Sequence, residues 1–594
     1  MSSLANSGKA LVNMRSLQLF LFLATISMAT AAPPDAPPSD RTRQEALRRI
    51  AANRGRAFQF VAARLRADVD TDFAWRQLDT LLDAPSGDMF WSFPAAGFYF
   101  YCRDLLDSTI RSRFRLTLGR YAPYRGDTEN HFLMHYTFLY LFAQEWPEMT
   151  AREWFNGRSS AENRAEARDY LLHWIDDIAR HGMNEWDASR YHYFYITPLL
   201  TLRDFAGDEH LRRRAQMTLE LLLADMATDY LNGCYVGAHA RDGDGVVIDP
   251  RSADASAYAG FYFEDTIRVA GPDLAFAAMS NYSAPEIIRC MASDRSTPYV
   301  NRELKRSRPR MRYADSLYAL VDRYTYMTRD HAIGSIQGEI HQPIQQHSWD
   351  VTFAASRPRN TLFGLHPDVS AQELGTFFPE EPELMESGIL STKASYGRHD
   401  KWIGGSRYER IGQYRNVLVA RYDLADDVRH PHVDLFIPKS TDTIARLSNG
   451  WVIARMERSL VGLRVLSSGK SEWIDEGEWW RLRVHDRRLL YLVEVLSTDD
   501  ISLDRYLARR QDRDDLSPLR ESWSFDGVLG VIHVSAEARG VRLRGTEPSS
   551  RQGRRRLFDG PHLQSDQGSG VIELRCCGRR RALDFNNGTI RGDG

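Results

Sequence analysis

The stretch that decides the fold of the first half of the chain is 129–146, ENHFLMHYTFLYLFAQEW. Its apolar and aromatic residues recur at the spacing of a helix that is buried over most of its surface. Glu129, Asn130 and His131 open the segment, and His135 follows one helical turn later. A core helix that begins with so many hydrogen-bonding groups predicts a polar site at its amino-terminal end.

The same helical periodicity extends from Arg41 to about Tyr324. Clear examples are the segments 44–65, 165–182 and 210–233. Successive helices joined by short loops are typical of antiparallel helical hairpins that pack side by side. We therefore expect residues 32–325 to form an α-helical domain built from such hairpins.

After RYTYMT, residues 323–328, the pattern changes to short β-branched runs with alternating polarity. Examples are NVLVARYDL at 416–424, DLFIPKS at 434–440 and WWRLRVHDRRLLYLVEVLS at 479–497. Alternation with a period of two is typical of strands that have one buried face. We therefore expect residues 326–594 to form an antiparallel β domain, most simply a sandwich.

The N-terminus has the features of an export signal. Basic residues precede an apolar run at 17–28, and the small residues ATA at 29–31 follow it. A membrane anchor is the competing interpretation, but the run is shorter than the roughly 20 residues needed to cross a bilayer. We expect residues 1–31 to be a cleaved signal peptide, a periplasmic or secreted protein, and no stable membrane insertion.

Charge and cysteine content exclude several classes of protein. The 77 Lys and Arg residues nearly balance 79 Asp and Glu residues, so no global charge favours nucleic acid as a partner. The basic runs KRSRPRMR at 305–312 and SSRQGRRRLF at 549–558 are short, and we interpret them as solvated loops. Five scattered cysteines do not make a disulfide framework, although one disulfide is compatible with their number.

His131 and His135 lie one turn apart on one helix face, which is the spacing of two metal ligands. The HExxH pattern is absent, and a zinc site needs a third and a fourth ligand. We therefore expect no cofactor and keep a structural metal ion as the alternative. In the simplest interpretation Thr128 or Asn130 caps the helix, and His131 hydrogen-bonds a neighbouring loop.

A second polar group lies in HGMNEWDASRYHYFYI, residues 181–196. Aromatic rings can stack on the apolar face of a pyranose, while amides and carboxylates bind its hydroxyl groups. Asn184, Glu185 and Trp186 are therefore candidate sugar-binding residues, and Tyr191 follows at the start of the next helix. Helix capping and packing between aromatic side chains are the alternative roles.

A third group follows in a glycine-rich connection at 232–246, which carries His239 and Arg241. Arg251 and Tyr258 lie a little further along the chain. An arginine can bind a carboxylate through two parallel hydrogen bonds, and a neighbouring cation lowers the pKa of a tyrosine. The alternative for both arginines is an ordinary surface salt bridge.

A fourth group, at 338–353, lies at the predicted seam between the two halves. It contains His341, Gln346, His347 and Trp349, which are candidates for lining a binding cleft. Polar pairs that dock one half of the protein onto the other are the alternative.

An exported chain with a helical half, a β half and the Asn130-His131 pair at a helix start resembles the toroid polysaccharide lyases. These include alginate lyases and the heparinase II/III-like and chondroitinase-like enzymes, which add a β domain. TENHF, at 128–132, is similar to the Asn-His pair of alginate-lyase-type toroids, although the residues after His131 depart from their pattern. The β run GWVIARMERSLVGLRVL, at 450–466, is similar to heparinase-like strands.

The resemblance implies a multidomain α+β fold, with an N-terminal (α/α) toroid of helical hairpins followed by an antiparallel β-sandwich. It also implies an arginine followed closely by a tyrosine, which Arg251 and Tyr258 could supply, with His239 and Arg241 as a rival pair.

The implied reaction is cleavage of a uronic-acid-containing polysaccharide by β-elimination, with an acidic polysaccharide as the partner. A group must neutralise the sugar carboxylate, a base must take the proton beside it, and an acid must protonate the leaving oxygen. The residues assigned to these steps are Asn130 and Arg241 for neutralisation, His239 or His131 for the base, and Tyr258 or Tyr191 for the acid or base. Glu129 joins the residues expected to bind the substrate.

Two other functions fit the same sequence. An inverting glycoside hydrolase would use two carboxylates, for which Glu129, Glu185 and Asp187 are the candidates. A non-catalytic glycan-binding protein would keep the cleft without the chemistry. A lyase alone leaves a double bond that absorbs in the ultraviolet.

Overall fold

The computed structural model describes residues 38–592 except 127, 241, 243, 307–319, 338–346, 369–403, 513–521, 538–539 and 546–554. The predicted signal peptide, residues 1–31, lies outside the described residues, as do Arg241, His341 and Gln346. Within the described part of the chain, we find no helix with the length and apolar character needed to cross a bilayer.

Helices occupy the described chain from residue 40 to residue 293. They are α1 Asp40–Ala51, α2 Phe58–Ala67, α3 Thr71–Asp83, α4 Met89–Tyr101, α5 Ser108–Arg120, α6 Glu129–Glu145, α7 Ser160–His181, α8 Tyr193–Phe205, α9 Glu209–Thr228, α10 Asp244–Ile248, α11 Asp254–Phe263, α12 Ala275–Met279 and α13 Glu286–Ser293. A short hairpin, β1 Tyr230–Leu231 and β2 Cys234–Tyr235, follows α9.

The helices form an (α/α) toroid, with an inner and an outer layer. Helices α2, α4, α6 and α8 pack one against the next as the inner layer. These inner helices are buried on most sides, as in α4, where every residue except Phe90 is buried. The outer helices α1, α3, α5 and α7 bury one face only, as expected from their alternating apolar and charged residues. Helix α12 packs against α1, α2, α4 and α8.

Local signals explain where the outer helix α7 begins and ends. Ser159 and Glu162 form a reciprocal capping box at its start. Gly182, with a φ of 78°, ends it in a conformation that other residues rarely adopt.

Strands make up most of the rest of the described chain, and these described residues include one further helix, α14 Leu503–Gln511. The strands are β3 Tyr299–Arg306, β4 Leu320–Met327, β5 His331–Gln337, β6 Trp349–Phe353, β7 Thr361–Leu365, β8 Glu409–Tyr414, β9 Val417–Asp423, β10 Val433–Pro438, β11 Thr443–Arg446, β12 Trp451–Met456, β13 Ser459–Leu466, β14 Lys470–Glu476, β15 Trp479–His485, β16 Arg488–Ser497, β17 Ser522–Gly527, β18 Gly530–Glu537, β19 Gly540–Arg544, β20 Arg556–Asp559, β21 Leu563–Asp566, β22 Val571–Cys576, β23 Arg579–Asp584 and β24 Thr589–Gly592.

The β half is an antiparallel sandwich. Its large sheet has the order β14-β15-β10-β7-β6-β5-β4-β3-β20-β21-β22-β23-β24, and a six-stranded sheet has the order β11-β12-β13-β16-β9-β8. Apolar side chains from both sheets, including Trp349, Leu435 and Tyr422, share one core. A three-stranded sheet, β17-β18-β19, covers the other face of the six-stranded sheet through a separate apolar core.

The change from helices to strands comes earlier than the predicted boundary at 325/326. Helix α13 ends at Ser293 and strand β3 begins at Tyr299, so the helical spacing expected as far as Tyr324 is wrong over this stretch. The strand was hidden because it ends in two charged residues, Lys305 and Arg306, which are both buried and ion-paired. The interpretation of 305–312 as a solvated loop is therefore wrong for these two residues.

Candidate active site

The head of α6 and the loop before α8 hold each other through paired carboxylates. Glu129 Oε2 accepts the backbone N–H groups of Asn184, at 3.0 Å, and Glu185, at 3.1 Å. In return, Glu185 Oε2 accepts the backbone N–H of Asn130, at 3.3 Å, and its side-chain Nδ2–H. The hydroxyl of Tyr195 donates to the same Glu185 oxygen at 2.6 Å. We call these five residues the polar floor.

Burial governs the electrostatics of the polar floor. It raises the pKa of the Glu129 carboxyl to about 7, while the Arg306 guanidinium, 3.6 Å from Oε1, opposes the shift. The nearby Glu185 carboxylate adds to the rise. Glu129 is therefore poised to gain or lose its proton close to neutral pH.

Several buried polar atoms of this region have no hydrogen-bond partner among the described residues. They are the Oδ1 atoms of Asn130 and Asn184 and the Oγ1 atom of Thr128. Buried polar atoms in folded proteins are nearly always paired with protein or with water, so such a group of unpaired acceptors needs an explanation. Amide and hydroxyl oxygens can accept hydrogen bonds from sugar hydroxyl groups, which makes the region chemically suited to a carbohydrate.

Beside the polar floor lies a set of aromatic rings that we call the aromatic rim: Phe90, His131, Tyr191 and Phe194. The ring of Phe90 lies 5.2 Å from that of His131 and 5.1 Å from that of Phe194. Phe194 in turn contacts Tyr191 at 5.8 Å. Phe90 is 41% exposed, and the other three rings are half-buried. Phe90 meets its two neighbours edge to face, and its exposed ring gives an apolar surface on which a sugar ring can stack.

Behind this region lies a buried ion-pair network, formed by Asp187, Asp225, Asp229, Glu303, Lys305 and Arg323. The Nζ atom of Lys305 lies 3.0 Å from Asp187 and 3.6 Å from Glu303, and also contacts Asp225. Three of its carboxylates are close enough together to hold a metal ion. The Lys305 ammonium already supplies a cation there, so the network has no need of a metal.

Asp187 links this network to the loop before α8. Its backbone is left-handed, with a φ of 51°, and its carboxylate accepts a hydrogen bond from the Tyr235 hydroxyl at 2.9 Å. Arg323 Nε lies 3.3 Å from its second oxygen. Lys305 and Arg323 together hold the pKa of the Asp187 carboxyl below its usual value despite complete burial.

The structure separates the rival candidates for base and acid. His239 is buried against Tyr235, and burial lowers the pKa of its imidazole to about 3. Tyr258 is wholly buried within the toroid, with its hydroxyl 3.0 Å from Thr197 Oγ1. His131 and Tyr191, by contrast, belong to the half-buried aromatic rim. Arg241, the predicted partner of His239, lies outside the described residues.

Four other predicted substrate-binding residues serve packing in this structure. Trp186 is fully buried against Ala238 and other apolar side chains. Trp349 lies in the core of the sandwich, and His347 stacks on a phenylalanine with ring centres 3.8 Å apart. Arg251 donates to backbone carbonyl groups of the 355–357 segment. Trp186, Trp349 and His347 are covered and offer no surface to a sugar, whereas Arg251 is half-buried and its guanidinium is engaged with backbone carbonyl groups.

The two histidines of α6 do not gather further metal ligands. His135 is buried, and burial together with the Arg125 guanidinium lowers the pKa of its imidazole to about 4. Among the described residues, no group of three or more potential ligands includes His131 or His135. A zinc site at this pair therefore gains no support from its surroundings.

Sequence reasoning missed two residues of the aromatic rim. Phe90 lies two residues after Asp88, whose side chain caps α4. An aromatic residue in the first turn of a capped helix could have indicated an exposed ring at this position. Phe194 was expected to pack between helices, and only its contact with Phe90 places it at the rim.

Comparison with known proteins finds distant similarity to solved structures only. No protein-family profile matches the sequence, and no curated protein does. Among solved structures, the chondroitin AC lyase of Streptomyces coelicolor A3 in complex with chondroitin sulphate is similar, with a TM-score of 0.41 and 12% identity over 96% of this chain and 92% of that chain. A mutant of that lyase gives a TM-score of 0.40 at 12% identity, over 94% and 90% of the two chains.

A structure of chondroitinase AC lyase, from a study of enzyme–oligosaccharide complexes, gives a TM-score of 0.33 at 10% identity, over 93% of this chain and 97% of that chain. The architecture of the chain itself, a toroid of helical hairpins followed by an antiparallel β-sandwich, agrees with the fold that the sequence predicts. The site residues have to be argued from their own geometry.

Proposed function

We propose that this protein is a polysaccharide lyase that cleaves a uronic-acid-containing polysaccharide by β-elimination. The observation that carries the proposal is the combination of the polar floor, with its unpaired amide oxygens, and an aromatic rim that presents His131 and Tyr191. The rings provide stacking for the sugar, the half-buried Asn184 amide provides an acceptor for a hydroxyl group, and the two titratable rings provide a base and an acid.

The reaction needs two proton transfers. A neutral His131 imidazole takes the proton from the carbon beside the sugar carboxylate, and the electrons of that C–H bond form the new C=C bond. The C–O bond on the neighbouring carbon breaks, and the Tyr191 hydroxyl gives its proton to the leaving oxygen. Saturated substrate thereby becomes an unsaturated uronate and a new chain end, without a redox step or an added water.

The contacts of Asn130 change its proposed role. Its Nδ2–H is donated to Glu185, so the side chain has its oxygen left to offer. An amide oxygen accepts from a hydroxyl group but repels a carboxylate. Because Asn130 is fully buried, we assign it to holding Glu185 and the loop before α8 in place rather than to direct contact with the sugar. We assign neutralisation of the carboxylate to Arg190, which is exposed and adjacent to Tyr191 in the chain.

The inverting hydrolase is less well supported by the same geometry. Such an enzyme needs one carboxyl at the glycosidic oxygen and a second that activates water on the other side of the sugar. Glu129 and Glu185 are buried and engaged in bracing the floor, and Asp187 is buried in ion pairs. None of the three belongs to the aromatic rim.

The proposal is tested by ultraviolet absorbance of the purified mature protein with alginate, glucuronan, hyaluronan, chondroitin, heparin-type and pectic substrates. A rise with one polymer is the expected result, and it identifies the substrate class. Tyr191→Phe and His131→Ala should each lower the rate at least about 100-fold. The matched controls are Tyr262→Phe, whose hydroxyl has no partner among the described residues, and the exposed His210→Ala.

Other outcomes point to other functions. New reducing ends without a rise in absorbance would replace the lyase with a hydrolase. Binding without either product would leave a glycan-binding protein. Asn130→Ala should also abolish turnover, because it removes the side-chain Nδ2–H that donates to Glu185, while the backbone N–H donor remains. Full activity in this variant would remove Asn130 from the site.

We further propose that the protein is exported and that residues 1–31 are removed, since an acidic polysaccharide is an extracellular or periplasmic substrate. The test is the N-terminal sequence of the protein recovered from the periplasm or the medium. A mature N-terminus near residue 32 is expected, and a protein retained in the cytoplasm with an intact N-terminus would overturn the proposal.

A further inference from the structure

A second region suited to a ligand lies in the β half. Described residues of β3, β4, β8 and β19 and of the β20–β21 hairpin line a groove of about 910 Å³. We call it the β groove. None of the aromatic rim or polar floor residues belongs to its lining.

The register of β3 and β4 shows which side of the large sheet the β groove occupies. Glu303 pairs with Arg323, and Arg302 pairs with Tyr324. The Arg323 guanidinium reaches Asp229 and the Val236 carbonyl in the helical half. Because successive side chains of a strand point to opposite faces, Arg302 and Tyr324 lie on the other face of the sheet. The Arg302 and Tyr324 side chains therefore line the β groove from the face of the sheet opposite to the Arg323 side chain.

The lining of the β groove carries an excess of positive charge. Its described residues include six arginines and three carboxylates. One of each, Arg323 and Glu303, is buried and paired at 2.8 Å, which leaves five arginines against two carboxylates. Asp559 is shared by Arg302, at 3.7 Å, and Arg556, at 3.6 Å. These charges favour an anionic ligand.

Two arginines of β19 have the fewest side-chain contacts with the protein among the arginines that line the β groove. Arg542 and Arg544 are exposed, and neither side chain has a hydrogen bond or ion pair with the other residues that the structure describes. They alternate with Leu543, so they lie on the same face of the strand. Two guanidinium groups about 7 Å apart along a strand match the repeated negative charges of an extended polymer better than a single small anion.

Aromatic rings accompany the arginines, as a sugar ligand requires. Arg302 lies over the Tyr324 ring, at 5.1 Å, and Arg415 lies over the Tyr414 ring, at 5.7 Å. Both tyrosines belong to the groove lining. A guanidinium that lies over a ring keeps its N–H groups in its own plane, where they can still donate to a carboxylate or sulfate.

We propose that the β groove is a second binding site for an acidic polysaccharide, which holds a stretch of the polymer apart from the aromatic rim. The choice of a polysaccharide over another polyanion rests on the proposed function. The groove binds carboxylate or sulfate groups through Arg542 and Arg544, and it raises the affinity for long chains by giving one polymer two attachment points.

The test compares two charge-reversed double variants of the full mature chain. Arg542→Glu with Arg544→Glu alters the β groove. Arg54→Glu with Arg56→Glu changes the net charge equally, at two exposed arginines with the same spacing in the loop between α1 and α2. Both are made in a Tyr191→Phe background, so that the polymer is not degraded. Binding to alginate, hyaluronan, chondroitin sulphate and heparin is measured by affinity gel electrophoresis at fixed salt.

The expected result is an apparent Kd for at least one polymer that rises about tenfold or more in the groove variant and much less in the control. Equal retardation of the two variants would overturn the proposal. Stronger binding of a short duplex DNA than of every polysaccharide at the same salt would overturn the ligand class. If the groove variant does not fold, Arg542→Gln with Arg544→Gln is the substitute, compared with Arg54→Gln and Arg56→Gln.

Failure of this proposal is distinguishable from failure of the lyase proposal. Loss of polymer binding in the groove variant, together with no ultraviolet product from the wild-type protein, supports the groove and refutes the lyase. A clear ultraviolet product from the wild-type protein, together with equal polymer binding by both variants, supports the lyase and refutes the groove.

Discussion

At the scale of single residues, the site depends on two glutamates that hold each other's chain segments. Glu129 binds backbone N–H groups of the 184–185 loop, and Glu185 binds the backbone and side chain of Asn130. Two segments that lie 55 positions apart are joined at the floor in this way. This arrangement buries the Glu129 carboxyl, and burial raises its pKa to about 7.

The pKa of Glu129 predicts a pH-dependent stability. Its folded pKa, about 7, exceeds the unfolded value of 4.5, so the folded state binds more protons between these values. The stabilisation is complete below the unfolded pKa and is lost as the pH rises through the folded one. Between about pH 4.5 and pH 8 the wild-type protein should lose up to about 3 kcal/mol relative to Glu129→Gln. Denaturant unfolding of both proteins at several pH values measures the difference.

The titrations of all other groups occur in both the wild-type protein and Glu129→Gln, so their contributions cancel in the difference between the two free energies of unfolding. Exposed Glu148→Gln is the control, and its stability should follow the wild-type protein across the pH range within about 0.5 kcal/mol. A constant difference between wild type and Glu129→Gln at all pH values would contradict the shifted pKa.

At the scale of elements, β3 and β4 connect the sandwich to the toroid by charged rather than apolar side chains. Lys305 and Arg306 of β3 reach Asp187 and Glu129 beside the polar floor. Arg323 of β4 reaches Asp229 at the end of α9. Ion pairs of this kind are well suited to fix the loop before α8, because each partner has few positions in which all its hydrogen bonds are made.

Loss of the central cation should therefore be severe. Lys305→Met leaves the buried Asp187, Asp225 and Glu303 carboxylates without their shared ammonium, and we expect a loss of about 3–5 kcal/mol in the free energy of unfolding. Denaturant unfolding measures it. Lys470→Met, at an exposed position of β14, is the matched control and should change stability by less than about 0.5 kcal/mol. A similar small change in both variants would show that the network contributes little.

At the scale of the whole molecule, the last strands of the chain pack against the helices of the N-terminal half. Strands β20 to β23 contribute Leu557, Ile572 and Leu583 to the core that the toroid helices form. The disulfide between Cys290 of α13 and Cys577 after β22 joins positions 287 residues apart. The two predicted domains thus share one apolar core and a covalent link, rather than meeting only at a seam.

The disulfide predicts a dependence of stability on redox conditions. Cys290→Ser should lower the free energy of unfolding by about 2–5 kcal/mol, because the unfolded chain loses a long cross-link. Cys290 is substituted rather than Cys577, because the Sγ atom of Cys576 lies 2.8 Å from that of Cys290. In a Cys577 variant, Cys576 could form the disulfide with Cys290 instead. Unfolding with and without a reductant is the measurement. Reductant should destabilise the wild-type protein and leave Cys290→Ser unchanged; equal stability of the two under oxidising conditions would contradict the prediction.

Much of the fold follows from the sequence by itself, because helices and strands have different periods of burial. Helices α6, α7 and α9 and strands β9, β10, β15 and β16 all occur where the periodicity predicts them. The sequence also predicts Asn130, His131 and Tyr191 as candidate site residues, because polar groups at the ends of apolar helices serve packing poorly. These features are local, and the pattern of a short segment is sufficient to reveal them.

Only the tertiary structure decided which side chains are covered. Trp186 and Tyr258 resemble site residues in sequence yet are buried, whereas Phe90, which the sequence analysis passed over, lies exposed at the rim. Likewise, Lys305 and Arg306 form a buried strand rather than a solvated loop, because Asp187, Glu129 and other acids reach them from distant segments. Burial and ion pairing are set by contacts between residues far apart in the chain, and no local pattern contains that information.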